Sequence, residues 1–555
     1  MKDISFNCRF NPELKVWILP ITRFSKTRII SLVEKYGFSR IEIEQEKNVI
    51  YNYSRSKKDY ELLERVCNKS NFTYTPRQYQ FDSLAYAYER GSFINGDDVG
   101  LGKTFESIMY AETSNSFPCL VVTPASVKYN WFEKWAEIVG EKRTISVIES
   151  KETKKHKNNW NADVIIINYD IISKKIGKNL GCRFHELIAK EWKMAIFDEA
   201  HFLKNSDANR SKIAKKITKP ISRIQLLTGT LITSKPIDLW NLLTIIKKDE
   251  LISSNWKTFI QRYCGGYQSK YGWNTEGATK LTELNEKLRK HCYIRREKRD
   301  VIKELPEVVE SVIEVPVTNA TKIKKARNEF LDFILKEYGS EAANKAMEAE
   351  HLVSQNVLRK LSIEGKMKFI ESYLKDWKES GIKLAVFGIH KEPLKKLSDK
   401  FDCPLIVGGV SSKDKQRIVN EWIESDDTFI FMNIQSAGTG IDGLQKVCSN
   451  MIIIELPWLP SDITQVIGRL DRLGQKSKTP VSINYLLNTS VSFDYEMTLI
   501  QDAREIISDM TNKGKVKDIG RFAREYVTKQ MLRNKKEVEY FSISFLFVYL
   551  LKLLI

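Results

Sequence analysis

A chain of 555 residues is too long for one hydrophobic core, so several domains are expected. Hydrophobic residues at 42% and charged residues at 29% fit a soluble globular protein and exclude a wholly disordered or membrane-embedded one. The net charge of +19 and a pI near 9.3 suit a polyanionic partner such as nucleic acid; a merely solvated basic surface is the plain alternative.

Residues 1–73 mix strand-like runs (Lys15–Pro20, Ile41–Tyr53) with a helical one (Thr27–Tyr36) and read as a small α+β accessory module. From Pro76 the pattern changes. Pro76–Gln80 precedes a helical run to Arg90, and an apolar segment, Gly91–Gly96, leads into Asp97-Asp98-Val99-Gly100-Leu101-Gly102-Lys103-Thr104. A glycine-rich turn opening a helix points backbone N–H groups at phosphate oxygens. Lys103 is placed to reach the outer phosphates and Thr104 to hold Mg2+, although Asp97 stands where the usual loop begins with Gly. Cys119–Pro124, Val164–Ile167, Met194–Phe197 and Ile224–Leu227 are apolar, β-branched runs that predict buried parallel strands; Val127–Ile138 between them is helical. Strands alternating with helices predict an α/β parallel-sheet domain over 74–235, with ligands at the carboxyl ends of the strands.

Residues 236–365 read as helical insertions and a connector, with a long polar helical pattern at Lys322–Ala349. Alternation resumes over 366–502, with candidate strands at Leu384–Gly388, Leu405–Val407, Phe429–Phe431, Met451–Ile454 and Val481–Tyr485. The remainder, 503–555, is basic and helical and ends in the apolar run Tyr540–Ile555. That run is shorter than a bilayer span and carries Lys552, so no membrane anchor is expected. Eight scattered cysteines without C-x-x-C spacing argue against a zinc ribbon, and no leader is visible; a reducing intracellular compartment is the simplest reading.

Four further stretches carry chemistry. Asp198-Glu199-Ala200-His201 directly follows a predicted strand, where Asp198 is suited to holding Mg2+ and Glu199 to activating water. Leu227-Thr228-Gly229-Thr230 follows the next strand. In the second region, Ser436–Asp442 follows a strand, and Gln465–Gln475 begins on a helix whose Arg469 and Arg472, three apart, are expected on one face, suited to stabilising charge on a transferring phosphoryl group.

The ordered set DDVGLGKT (97–104), VVTPASVKYNWFEKW (121–135), DEAHFLKN (198–205), LTGTLI (227–232), RYC (262–264), IRREKRDVIKELP (294–306), SAGTGID (436–442) and QVIGRLDRLGQ (465–475) resembles the superfamily 2 helicases, and within them the Swi/Snf-type DNA-translocating ATPases, the annealing-helicase branch most of all. The resemblance covers about 76–490. It implies two RecA-like lobes with parallel sheets, helical insertions between them, and ATP and Mg2+ as cofactors. Gln80 and Arg77, with Asp98, Gly100, Leu101, Gly102, Lys103 and Thr104, match nucleotide-binding positions, joined from the second lobe by Gly440, Asp442 and Gln465. Thr104 and Asp198 match the metal ligands, while Lys103, Asp198, Glu199, Arg469 and Arg472 match the catalytic set. Lys128, Asn130 and Trp131 fall in a block that usually touches the nucleic-acid backbone. Asp471 in place of His, Leu231 in place of Pro, and the missing Leu-Asn after the SAGTGID glycines depart from the pattern. The implied function is an ATP-driven translocase on double-stranded DNA, working as a monomer. An RNA-dependent ATPase and a catalytically idle nucleic-acid-binding scaffold remain as alternatives.

Overall fold

The structure, a computed structural model, describes residues 9–11, 16–18, 57–70, 72–153, 157–173, 184–229, 231, 235–269, 272–275, 277–326, 343–438, 441–477, 479–488, 492, 494, 497–498 and 501. The predicted elements at Thr27–Tyr36 and Ile41–Tyr53, the apolar end Tyr540–Ile555, Thr230 and Gly440 lie outside these residues. Near the N-terminus β1 (Arg9–Asn11) and β2 (Val16–Ile18) form an antiparallel pair. The rest divides into two compact units, one running to Lys303 and the other beginning at Glu304.

The first unit is built on a seven-stranded sheet. Its strands are β3 (Phe93–Asn95), β4 (Cys119–Thr123), β5 (Ile145–Val147), β6 (Val164–Asn168), β7 (Met194–Asp198) and β8 (Arg223–Leu227). A short antiparallel hairpin follows, β9 (Tyr267–Ser269) with β10 (Gly272–Asn274), and then β11 (Tyr293–Ile294), which returns to the sheet. The strand order is β11-β3-β8-β7-β4-β6-β5 and every pairing is parallel. Because the sheet is covered on its faces, β4, β6 and most of β7 are buried along their whole length, which is why they read as unbroken apolar runs. The helices Gln78–Arg90, Lys103–Thr113 and Lys128–Val139 pack onto it through Leu84, Ile108, Met109, Trp131 and Trp135.

The second unit holds a six-stranded, all-parallel sheet of β12 (Val308–Glu314), β13 (Leu384–Gly388), β14 (Leu405–Ile406), β15 (Phe429–Asn433), β16 (Asn450–Ile453) and β17 (Val481–Leu487), in the order β12-β17-β16-β13-β15-β14. Successive side chains of a strand point to opposite faces. Ala385 and Phe387 enter one core with Ile430, Met451 and Ile483, whereas Leu384 and Val386 enter another with Phe429, Ile452 and Leu486.

The α/β fold class with two parallel sheets is as expected from sequence. The stretch 236–365 corrects one expectation. Read as helical, it also supplies β11 to one sheet and β12 to the other. Its last helix, Ala343–Lys378, runs on past residue 366.

Candidate active site

The glycine-rich loop sits between the end of β3 and the helix Lys103–Thr113. Gly100 and Gly102 adopt left-handed φ of 94° and 86°, a region that penalises any Cβ, and a Cβ at Gly102 would also stand 2.9 Å from Gln80 Nε2. Lys103 Nζ donates to the carbonyls of Asp97 (2.5 Å) and Asp98 (3.2 Å), so the ammonium lies folded into its own loop. Gln80 bridges two backbones: its Oε1 accepts from Arg77 N–H (2.9 Å), and its Nε2 donates to the Leu101 carbonyl (3.4 Å), which also accepts from the Tyr79 hydroxyl (2.9 Å). Gln80 is buried, and the loop rests on it from below.

One strand away, Asp198 ends β7 and Glu199 follows with φ 49°, a strained left-handed conformation for a residue with a Cβ. Asp198 Oδ2 accepts from Trp131 Nε1 (2.8 Å) and Thr123 Oγ1 (3.3 Å); Oδ1 accepts from Glu199 N–H (3.0 Å), and Tyr169 donates to the Asp198 carbonyl (2.7 Å). Burial pushes the Asp198 carboxyl up to about 6. Glu199 adds to that push, and the Trp131 indole and Lys103 pull against it. Glu199 Oε2 lies 3.2 Å from His201 Nδ1. A carboxylate desolvated beside a lysine and a second carboxylate fits a divalent cation that takes its remaining ligands from phosphate and water.

Sequence reasoning missed the buried charges beneath the loop. Arg296 lies just beyond β11, and its guanidinium grips Asp97 through Nε (3.2 Å to Oδ1, 3.1 Å to Oδ2) and Nη2, reaches Glu106 Oε1 (3.0 Å), and donates through Nη1 to the Tyr79 carbonyl. Glu106 is held in turn by Ser83 (2.9 Å) and Asn95 (2.7 Å). Burial pushes Glu106 up to about 7 against the pull of Arg296. For Arg296 burial works against the charge, yet Asp97 and Glu106 hold the guanidinium above its ordinary range. Asp97 replaces the usual loop glycine because this position is an ion-pair anchor. The only sequence signal was the pairing of Asp97-Asp98 with Arg295-Arg296.

In the second unit, Arg469 donates to the carbonyls of Ile441 (2.9 Å) and Gly438, and Arg472 Nη1 donates to Asp442 Oδ1 (2.9 Å). Asp442 is further held by Gln445 Nε2 (3.2 Å) and the Gly443 N–H (2.8 Å). Its burial is outweighed by Arg472 and these bonds, so the carboxyl lies below its ordinary range. The helix Pro460–Ile467 stops before both arginines, which corrects the expectation of a shared helical face. Gly468 weakens the helix, and the chain turns as the guanidiniums dock on the 438–442 segment. A Cβ at Gly438 would sit 2.8 Å from Gln465 Oε1, so Gln465 borders the same turn.

Known families supply an independent comparison. The SNF2-related domain family matches residues 45–366. The chain belongs to the SNF2-related family. The helicase conserved C-terminal domain matches 365–474. Among relatives, the Xenopus tropicalis SWI/SNF-related matrix-associated actin-dependent regulator of chromatin subfamily A-like protein 1 is 28% identical over 442 residues, 77% of this chain and 44% of that protein. The Homo sapiens DNA annealing helicase and endonuclease ZRANB3 is 28% identical over 430 residues, 74% of this chain and 38% of that one. The chain thus spans less than half the length of these curated relatives. A solved Sulfolobus solfataricus SWI2/SNF2 ATPase core in complex with dsDNA aligns at 20% identity and a TM-score of 0.38, covering 83% of this chain and 97% of that one.

Within this SNF2-related chain the first unit gathers Lys103, Asp98, Asp198 and Glu199 beyond the ends of β3 and β7, with β8 between them, and the second gathers Arg469, Arg472, Asp442 and Gln465 around one turn. Asp98, expected at the nucleotide, spends its carboxylate on Arg295 (2.8 Å) and Lys298 N–H (3.0 Å). Lys128 and Trp131, expected at nucleic acid, are buried. Lys128 pairs with Glu149 (2.8 Å), and Trp131 is committed to Asp198. Their spacing puts them on the core face of the helix, whereas Asn130 is exposed.

Proposed function

We propose that this chain is an ATP-driven motor that moves on double-stranded DNA as a monomer inside the cell. The observation that carries the reading is the approach of a glycine-rich loop and its Lys103, after β3, to the Asp198-Glu199 pair at the end of β7, with only β8 between the two strands of the parallel sheet. Backbone N–H groups of 100–104 and Lys103 bind the phosphates, and Thr104 and Asp198 hold Mg2+. The nucleotide, once bound, supplies the anhydride whose cleavage drives the cycle. Glu199, whose Oε2 lies 3.2 Å from His201 Nδ1, accepts the proton of the attacking water at its carboxylate. Arg469 and Arg472 are the cations offered to the transferring phosphoryl group. Backbone phosphates of DNA are gripped by the basic surface without reading sequence, so binding weakens steeply with salt. Strand reannealing, which the name of one relative mentions, is the remodelling activity we assign to it.

The test is ATP turnover with duplex DNA, single-stranded DNA and duplex RNA, alongside displacement of a triplex-forming strand. The motor reading expects the largest stimulation by duplex DNA, together with ATP-dependent displacement. Stimulation by RNA alone would replace it with an RNA-dependent ATPase, and no turnover with any polymer would leave only a scaffold.

A further inference from the structure

We propose that Arg295 is a positioning residue for the nucleotide phosphates: it ties the phosphate loop to the turn after β8 and, with Arg296, sets the carbonyls on which Lys103 rests. The proposal deepens the ATP reading above and rests on it.

Three points of the site converge on one guanidinium. Arg295 Nη1 donates to the Gly96 carbonyl at the end of β3 (2.7 Å) and to the Gly229 carbonyl in the turn after β8 (3.1 Å); Nη2 donates to Asp98 Oδ1 inside the loop (2.8 Å). The second Asp98 oxygen accepts from Lys298 N–H (3.0 Å), and the Asp98 N–H donates to the Arg296 carbonyl (3.1 Å). Asp97 is gripped by Arg296 through both its carboxylate and the Arg296 N–H (2.7 Å). The two aspartates held by side chain are the two whose carbonyls hold Lys103 Nζ. A continuous path therefore runs from the Arg295-Arg296 segment, through Asp98 and Asp97, to the ammonium that meets the phosphates.

The Gly229 turn belongs to the same assembly. A Cβ there would come within 3.0 Å of Val99 and 3.9 Å of Lys103 Nζ, so this turn faces the loop directly. Arg295 and Arg296 are 9% and 7% exposed, which makes their bonds poorly screened and the geometry strict. The three bonds leave from two separate nitrogens, two from Nη1 and one from Nη2, a spread that the single nitrogen of an ammonium does not reproduce. A lysine keeps the charge and loses the fork. Residues 295–298 are about 200 positions from the loop in sequence, and the strand pairing of β11 with β3 is what delivers them.

The experiment is titration of wild type, Arg295→Lys, Asp98→Asn and the double variant with a fluorescent ATP analogue and Mg2+. Circular dichroism and thermal unfolding select variants that fold. Lys103→Ala serves as the reference for lost phosphate binding. The expected result is that each single variant weakens nucleotide affinity about tenfold while the double loses less than the product of the two, because the Arg295–Asp98 pairing is disturbed in both singles. Nucleotide-free binding to duplex DNA stays at the wild-type level. A purely structural role would lower the unfolding temperature and leave affinity of the folded protein unchanged; that result, or simple additivity in the double variant, overturns the proposal. If Arg295→Lys does not fold, Asp98→Asn alone decides by the same affinity criterion. Wild type that ignores the nucleotide would defeat the ATP reading and this proposal together. Wild-type binding with unaltered variants would defeat this proposal alone.

Discussion

The two arginine clusters of this chain are held in opposite ways. In the first unit Arg295 and Arg296 are buried against carboxylates, and the charges neutralise one another where water is excluded. In the second unit Arg469 donates to carbonyls and adds to the pull on Asp442, and Arg472 pairs with Asp442, whose side chain is 53% exposed. A buried ion pair is costly to break, because removing one partner strands the other. A guanidinium on carbonyls or on a hydrated carboxylate is exchanged cheaply for another anion. The first arrangement suits a fixed cradle, and the second suits cations that change partner during a cycle.

The contrast can be broken from either side. The largest expected effect is on turnover. Arg469→Ala should lower DNA-stimulated ATP hydrolysis by about 10³–10⁵ with little change in thermal unfolding; a fall confined to stability would contradict a catalytic cation. Next in size, Arg296→Leu leaves Asp97 and Glu106 facing each other without their counter-ion and should cost about 3–5 kcal/mol in a denaturant melt. A loss well below that would mean the cluster is not a stability anchor. A smaller effect, of opposite sign, is expected at Asp198. Its carboxyl is pushed up by burial, so its charge weighs against folding at neutral pH. Asp198→Asn should therefore stabilise the nucleotide-free, magnesium-free protein by about 1 kcal/mol while abolishing turnover. Destabilisation would show that the bonds from Trp131 and Thr123 need the charge. The smallest effect is at the surface. The bond from Arg262 holds Glu283 below the ordinary 4.5, at about 2, against a partial burial that opposes it. A depressed carboxylate contributes stability above its unfolded pKa and loses it as pH falls through that window. Wild type should therefore lose stability slightly faster than Glu283→Gln as pH drops below 4.5, and parallel curves would remove this pair from the balance.

Most of both sheets was legible in the sequence, because strands buried on both faces must be apolar throughout, as Cys119–Thr123 and Leu384–Gly388 are. The positions of the glycine-rich loop and of the Asp198-Glu199 pair at strand ends were legible because each directly follows an apolar run. The strand β12 was not, since an exposed edge with Glu310 and Glu314 lacks a buried run. Nor was β11, two residues long and defined by a partner about 200 positions away. Burial decided the other misreadings. Trp131 and Trp135 repeat at four, the spacing of a core face, a signal that the family block which placed Trp131 at nucleic acid does not carry. Asp98 was expected at the nucleotide because nothing local revealed the guanidinium that takes its carboxylate.

Phosphate release by the purified chain, with and without duplex DNA and beside Glu199→Gln, tests the central claim most directly. A fixed cradle with Glu199 as its base predicts DNA-stimulated release by wild type and none by the variant, which still binds the nucleotide. Equal release by both proteins, or none by wild type under any condition, would contradict it.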